Sequence, residues 1–233
     1  MSNQPTHSSY INNWVNDDNL VGYIWQELQE SSSGVSQKTN GRWTEPKLTT
    51  WFSEAGVSYT YSGIEQPSFG WPDWVEYLAE RLSHFQEGRY QKPNSALVNV
   101  YRNGNDFCSP HKDDESIFDP SQPIFSISLG GSRLLTVGGS HDQVEFTCTL
   151  TNGSLLIMLP GFQEKYFHGI PKDPENNKTR INLTFRYVKP DQSAGDVGSD
   201  LSFAEPERPE RKKSSWGVSE ELIQALVLEF KSK

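Results

Sequence analysis

The run Arg180-Ile-Asn-Leu-Thr-Phe-Arg186 alternates strictly between polar and apolar residues, and no other segment constrains the fold of this chain as tightly. Successive side chains of a β-strand point to opposite faces. One face therefore carries Arg180, Asn182, Thr184 and Arg186, and the other Ile181, Leu183 and Phe185. The apolar face needs a core to cover it. Two guanidiniums beside two small polar groups make a receptor for a dicarboxylate, because arginine forks bind carboxylates bidentately. Upstream stands His111-Lys-Asp113, whose i and i+2 side chains point the same way in a strand or its exit, so both can reach one metal ion. His168 follows 55 residues after Asp113, and Arg180 comes 12 residues after that. Two imidazoles and one carboxylate form the facial triad that holds non-haem Fe(II) with positions left open. Iron with a dicarboxylate points to a 2-oxoglutarate-dependent oxygenase. Singly, each element has a plainer reading: a chance His-x-Asp, a solvated strand face, a turn histidine. Their joint order is the signal. His7, His84 and His141 have no such setting and read as surface or loop residues.

The rest of the chain fits a β-rich core. Hydrophobic residues make up 34% and aromatics 12%, enough for one catalytic domain with extensions. Residues 1–10 are expected to be disordered. A helix over 17–30, capped by Asp17, presents Leu20, Val21, Ile24 and Leu28, and a second from about Pro72 to Gln86 presents Trp74, Val75, Leu78, Ala79 and Leu82. Between them Asn40-Gly41 marks a loop or polar hairpin tip. Short strands are expected at Ala96–Tyr101, Ile124–Leu129, Arg133–Gly138, Glu145–Leu150, Ser154–Leu159 and Arg180–Val188. Many short strands with turns between them imply a mainly β fold, a double-stranded β-helix (jelly roll) buttressed by flanking helices. Asp, Gly, Ser and Pro dominate after Lys189, reading as a flexible linker, and Glu220–Phe230 then repeats an amphipathic helical pattern.

These motifs resemble those of the AlkB family of DNA and RNA repair dioxygenases. Asn99-Val-Tyr101-Arg-Asn-Gly104 is similar to its Asn-x-Tyr-x-x-Gly strand, His111-Lys-Asp113-Asp114-Glu115 to its His-x-Asp-Asp-Glu run, and Arg180-x-Asn182-x-Thr184-x-Arg186 to its C-terminal signature. Pro46-Lys-Leu-Thr-Thr-Trp51-Phe and Tyr59-Thr-Tyr61-Ser62-Gly63 resemble its nucleotide-recognition lid, and Pro123–Arg133 its central strand. The likeness covers about residues 43–188. It implies Fe(II) on His111, Asp113 and His168. It also implies 2-oxoglutarate on Asn99, Tyr101, Arg180, Asn182, Thr184 and Arg186, with Arg180 at the far carboxylate and Arg186 at the end nearer the iron. O2 is the oxidant. Base contacts from Tyr59, Tyr61 and Glu115 follow too, Tyr61 stacking the base against His111. The implied reaction demethylates N1-methyladenine or N3-methylcytosine, releasing formaldehyde, succinate and CO2; an anion at Glu115 favours those cationic bases. With the composition and helical patterns above, the expected organisation is an N-terminal extension with one helix (1–34), a dioxygenase domain (35–189) whose lid spans about 35–70, a flexible linker (190–218) and a C-terminal amphipathic helix (219–233).

Net charge is −9, which as a whole opposes nucleic-acid binding. Its distribution softens the objection, since residues 35–189 hold 17 acids against 15 bases, with Lys38, Arg42 and Lys47 close to the lid. Weak, salt-sensitive binding is expected. The stretch Val35–Arg42 is polar apart from Val35 and cannot wedge open a base stack, so single strands of alkylated DNA or RNA are the favoured partners. The final helix packs back on the core or docks on a protein partner. Two cysteines form no disulfide framework and the apolar runs are short. The expectation is a monomer with no membrane association, intracellular, cytoplasmic or, in a eukaryote, nuclear. Two other readings remain: an oxygenase acting on a protein or small molecule, and a non-catalytic nucleic-acid-binding module. Against the last, five inward-pointing charged or ligating groups are costly to bury without ligands.

Overall fold

The structure, a computed structural model, describes residues 5–189 apart from Ala55 and Ser62. The expected linker and C-terminal helix lie outside the described residues. In chain order the elements are β1 (Ser8–Ile11), α1 (Asp18–Gln29), β2 (Leu48–Ser53), β3 (Tyr59–Tyr61), β4 (Ile64–Gln66), α2 (Asp73–Ser83), β5 (Ser95–Tyr101) and β6 (Cys108–His111). They continue with β7 (Ile124–Gly130), β8 (Arg133–Gly138), β9 (Phe146–Leu150), β10 (Ser154–Met158), α3 (Phe162–Lys165), β11 (Phe167–Ile170) and β12 (Arg180–Arg186).

The alternation in β12 places it at the centre of the molecule. It pairs antiparallel with β5 on one side and β7 on the other, in a six-stranded sheet of order β1-β10-β7-β12-β5-β2. Its apolar residues Ile181, Leu183 and Phe185 join Val98, Val100, Phe125, Ile127, Leu155 and Ile157 in the larger core cluster. Helices α1 and α2 complete that cluster with Ile24 and Leu28 and with Trp74, Val75, Leu78, Ala79 and Leu82. The period-3.6 pattern thus lands on one sheet face, as amphipathic helices require. The Asp17 carboxylate accepts the backbone N–H groups of Asn19 and Leu20 and starts α1. Helix α2 stops at Ser83 rather than Gln86, and a tighter turn follows over Phe85–Gly88, where Glu87 and Gly88 have positive φ.

The opposite face of the large sheet meets a four-stranded sheet of order β6-β11-β8-β9, giving the two-sheet jelly roll. A second cluster, including Tyr101, Ile124, Leu135, Val137, Leu156 and Ile170, fills the gap. Strands β3 and β4 form a separate ribbon. Gly104, at the end of the Asn-x-Tyr-x-x-Gly run, lets two loops touch. It bonds Asn176 and Asp173 through its backbone, and a Cβ there would collide with the Asp173 carbonyl oxygen.

Two expectations are corrected. Residues 1–10 are not disordered throughout, because Ser8–Ile11 pair with Leu155–Met158 as β1; the long-range partner supplies the order that local composition lacks. The stretch Pro46–Phe52, read as lid, enters the main sheet, where β2 pairs with β5 and buries Trp51 and Phe52. Strands β3, β4, β6 and β11 were also absent from the expected set. They have three or four residues each, β6 containing Pro110 and β11 ending before Pro171, too short for a periodicity signal. Among the described residues no helix is long and apolar enough to cross a membrane.

Candidate active site

The pairing of β11 with β6 sets His168 directly opposite His111, with ring centroids 4.4 Å apart. Asp113 lies two residues past the end of β6, buried. Its Oδ1 is 3.6 Å from His111 Nε2 and its Oδ2 is 3.9 Å from His168 Nε2. One ligand atom from each of the three residues falls within 4.8 Å of the others. Two nitrogens and one oxygen, all from one side, are the donor set suited to Fe(II). His111 Nδ1 lies 2.9 Å from the Ser109 carbonyl, which directs Nε2 to the centre. Burial, reinforced by His111, pulls the His168 pKa down to about 3, keeping that imidazole neutral as a ligand must be. For Asp113, burial favours the neutral acid, but Arg186 with the two histidines outweighs it and holds the carboxyl well below its usual range.

Arg186 donates from Nη2 to Asp113 Oδ2 at 2.7 Å. At the other end of β12, Arg180 donates from Nη2 to Ser128 Oγ at 2.9 Å and lies 5.1 Å from the Tyr101 ring. Both guanidiniums are buried, and Nε and Nη1 of each have no acceptor in the protein. Buried cationic donors left unpaired are costly, so this face fits a bound dianion such as 2-oxoglutarate. Asn182 and Thr184 share the wall but face inward to one another. Thr184 Oγ1 donates to Asn182 Oδ1 at 3.1 Å, and Asn182 Nδ2 donates to Ser126 Oγ at 2.7 Å. They brace the platform while the arginines keep free donors. Asn99 donates weakly to Asn182 Oδ1, at 3.4 Å, and its own Oδ1 is unsatisfied. Tyr101 is buried between Arg180 and Arg133, and burial keeps its phenol neutral.

Tyr59 and Glu115 meet beside this cavity: Tyr59 Oη donates to Glu115 Oε1 at 2.8 Å. Tyr59 is buried against Trp51, with centroids 4.8 Å apart. It therefore positions Glu115, whose Oε2 is buried without a partner. Tyr61 falls at the end of β3, opposite Ile64. His7, His84 and His141 are exposed, as the sequence reading expected.

Four contributors escaped the sequence reading. Ser126 and Ser128, spaced by two on β7, hold Asn182 and Arg180; their spacing was a usable signal. Lys47 is buried in the cavity wall. Gln163 on α3 accepts the Asp113 backbone N–H at 3.0 Å, a contact across 50 residues that no local pattern announces.

Comparisons with known proteins agree with this geometry. The model of the 2OG-Fe(II) oxygenase superfamily matches residues 8–186. The alpha-ketoglutarate-dependent dioxygenase alkB homolog 3 of Rattus norvegicus is 33% identical over 169 residues, covering 67% of this chain and 56% of that protein. DNA oxidative demethylase ALKBH2 of Mus musculus is 29% identical over 183 residues, covering 74% of this chain and 75% of that one. The chain thus spans about half the length of the alkB homolog 3 proteins that it matches. Among solved structures, OsALKBH1 superposes with a TM-score of 0.50 at 21% identity, over 79% of this chain and 100% of that one, a likeness of fold. With the match running from β1 to Arg186, through both histidines, Asp113 and both arginines, the chain belongs to the 2OG-Fe(II) oxygenase superfamily, within its AlkB family.

Proposed function

We propose that this protein oxidatively demethylates N-alkylated nucleobases, such as N1-methyladenine and N3-methylcytosine, in DNA or RNA, using Fe(II), 2-oxoglutarate and O2. The observation that carries the substrate assignment is the half-buried Glu115 carboxylate, held by Tyr59 through one oxygen and with its other, buried oxygen unpartnered, within two residues of Asp113. Such an oxygen accepts an exocyclic amine and favours a cationic base. Support also comes from the relatives' names as dioxygenase and DNA oxidative demethylase.

In this reading His111, Asp113 and His168 hold Fe(II), and Arg180 and Arg186 grip the two carboxylates of 2-oxoglutarate. Arg186 also locks Asp113 through its other donor. When bound, the metal and cosubstrate supply the oxidising power that hydroxylates the N-methyl group, after which the hemiaminal sheds formaldehyde. Burial of the arginine face keeps water from the reacting centre. Tyr61 stacks the base against His111. The stretch Val35–Arg42, polar apart from Val35, supports single strands over duplexes. The same reading has residues 35–189 as the catalytic domain and a monomeric intracellular enzyme with both cysteines free.

The test incubates purified protein with Fe(II), ascorbate and 2-oxoglutarate, using single-stranded and duplex oligonucleotides carrying either methylated base. Formaldehyde matching the restored base, faster on single strands, is the expected result. Succinate without base repair would move the substrate to a protein or small molecule.

A further inference from the structure

Beside the catalytic cavity lies a groove of about 370 Å³, walled by Trp43, Pro46, Lys47, Phe107, His111 and His141 among others. It shares Lys47, Cys108 and His111 with the cavity that holds the triad and the arginine face. The groove therefore lies next to the metal centre, beside β6. Its aromatics are unusual for a protein surface. Trp43 is 41% exposed, and Phe107 carries Lys172 Nζ 5.0 Å from its ring. His141 is exposed and stacks on Phe167 at 4.2 Å, with Lys112 Nζ 4.9 Å from that same Phe167 ring.

Trp43 is held in place from the backbone. Asn40 Oδ1 accepts its N–H at 2.9 Å, and its carbonyl accepts from the Asn40 backbone at 3.1 Å and from Thr39 Oγ1 at 3.0 Å. The hairpin closed between Thr39 and Thr44 thus presents one indole, fixed and half in water. An exposed indole beside basic residues is what single-stranded nucleic acid binds: a base stacks on the ring and phosphates pair with the cations. A duplex cannot offer its bases this way, because they are already stacked on one another.

We infer that this groove is a second base-stacking site, which takes the nucleotide flanking the target base in a single strand, with Trp43 as its platform. The inference rests on the demethylase reading for the identity of the neighbouring target base. The groove makes the enzyme prefer oligonucleotides over mononucleotides, and it gives single-strand specificity a positive source in addition to the missing wedge.

The experiment compares kcat/KM for a methylated mononucleotide and a methylated trinucleotide, in wild type, Trp43→Ala and Trp43→Phe. The wild type should favour the trinucleotide by about tenfold or more, the order expected of one stacked base. In Trp43→Ala that advantage should collapse, and Trp43→Phe should restore most of it. A Trp43→Ala protein that keeps the full trinucleotide advantage overturns the inference. A parallel arm measures binding of an unmethylated, labelled single-stranded octamer by fluorescence anisotropy, which does not depend on turnover. If no methylated base is repaired but Trp43→Ala still weakens octamer binding about tenfold, the groove stands and the demethylase reading falls. Equal octamer affinity in wild type and Trp43→Ala sinks the groove whatever the turnover shows.

Discussion

Arg186 Nη2 and Asp113 Oδ2 are 2.7 Å apart, joining the central strand β12 to the loop that carries the carboxylate of the His-Asp-His triad. A single guanidinium thus fixes the orientation of Asp113 and keeps further donors for an incoming carboxylate. In the proposed reading, metal and cosubstrate sites are built as one unit.

Asp113→Ala removes the anion that balances a divalent cation between two imidazoles. Fe(II) binding, measured by metal content after desalting, should fall to background, and base demethylation should disappear with it. Demethylation surviving in this variant would show that the metal is held elsewhere.

The two arginines should separate by readout. Arg180→Lys keeps the charge but loses the fork, so KM for 2-oxoglutarate should rise about tenfold or more while Fe(II) affinity stays near wild type. Arg186→Lys should raise that KM similarly and also weaken Fe(II) binding, because Asp113 loses its brace. Titrating each variant with Fe(II) and then with 2-oxoglutarate checks both; identical behaviour of the two would refute the division of labour.

Tyr59→Phe deletes the donor to Glu115 and little else, since the ring stays packed on Trp51. A hydrogen bond to a charged group contributes about 1.5–3 kcal/mol, so kcat/KM for the methylated base should drop roughly ten- to a hundredfold. The KM for 2-oxoglutarate should not follow, and steady-state assays varying each substrate in turn will show whether it does.

Stability should have an acid limb from Glu76. Burial raises its pKa, but bonds from Lys92 at 2.7 Å and Trp71 at 2.6 Å outweigh this and leave it below the ordinary glutamate value. A depressed carboxylate stabilises the fold above its unfolded pKa and loses that contribution as pH falls through the folded value. Glu76→Gln should therefore lower Tm by about 1–3 °C at pH 7, the scale of a partly exposed pair, and the difference should vanish at a low pH where Glu76 is protonated in the folded protein as well. Calorimetry at both pH values tests this, and an unchanged difference at low pH would deny the pair its role.

Much of the architecture was legible in linear order. The alternation in β12, the apolar stripe of α2 and the Asp17 cap are local consequences of backbone geometry, and each sits where its period placed it. The residues His111, Asp113, His168, Arg180 and Arg186 were likewise readable, because few other chemistries need those types in that order. What stayed hidden involves partners far apart along the chain. The strand β1 is ordered by β10, the ring of His111 meets His168 only because β6 and β11 pair, and Asp113 takes its bearing from Gln163 and Arg186. Asn182 and Thr184 look from the strand pattern like ligand contacts, yet their hydrogen bonds run to each other and to Ser126. Residue chemistry and short-range periodicity set the donor set and the strand faces. Which donors remain free, and which ring stands at the mouth of the site, depends on long-range packing that no local spacing encodes.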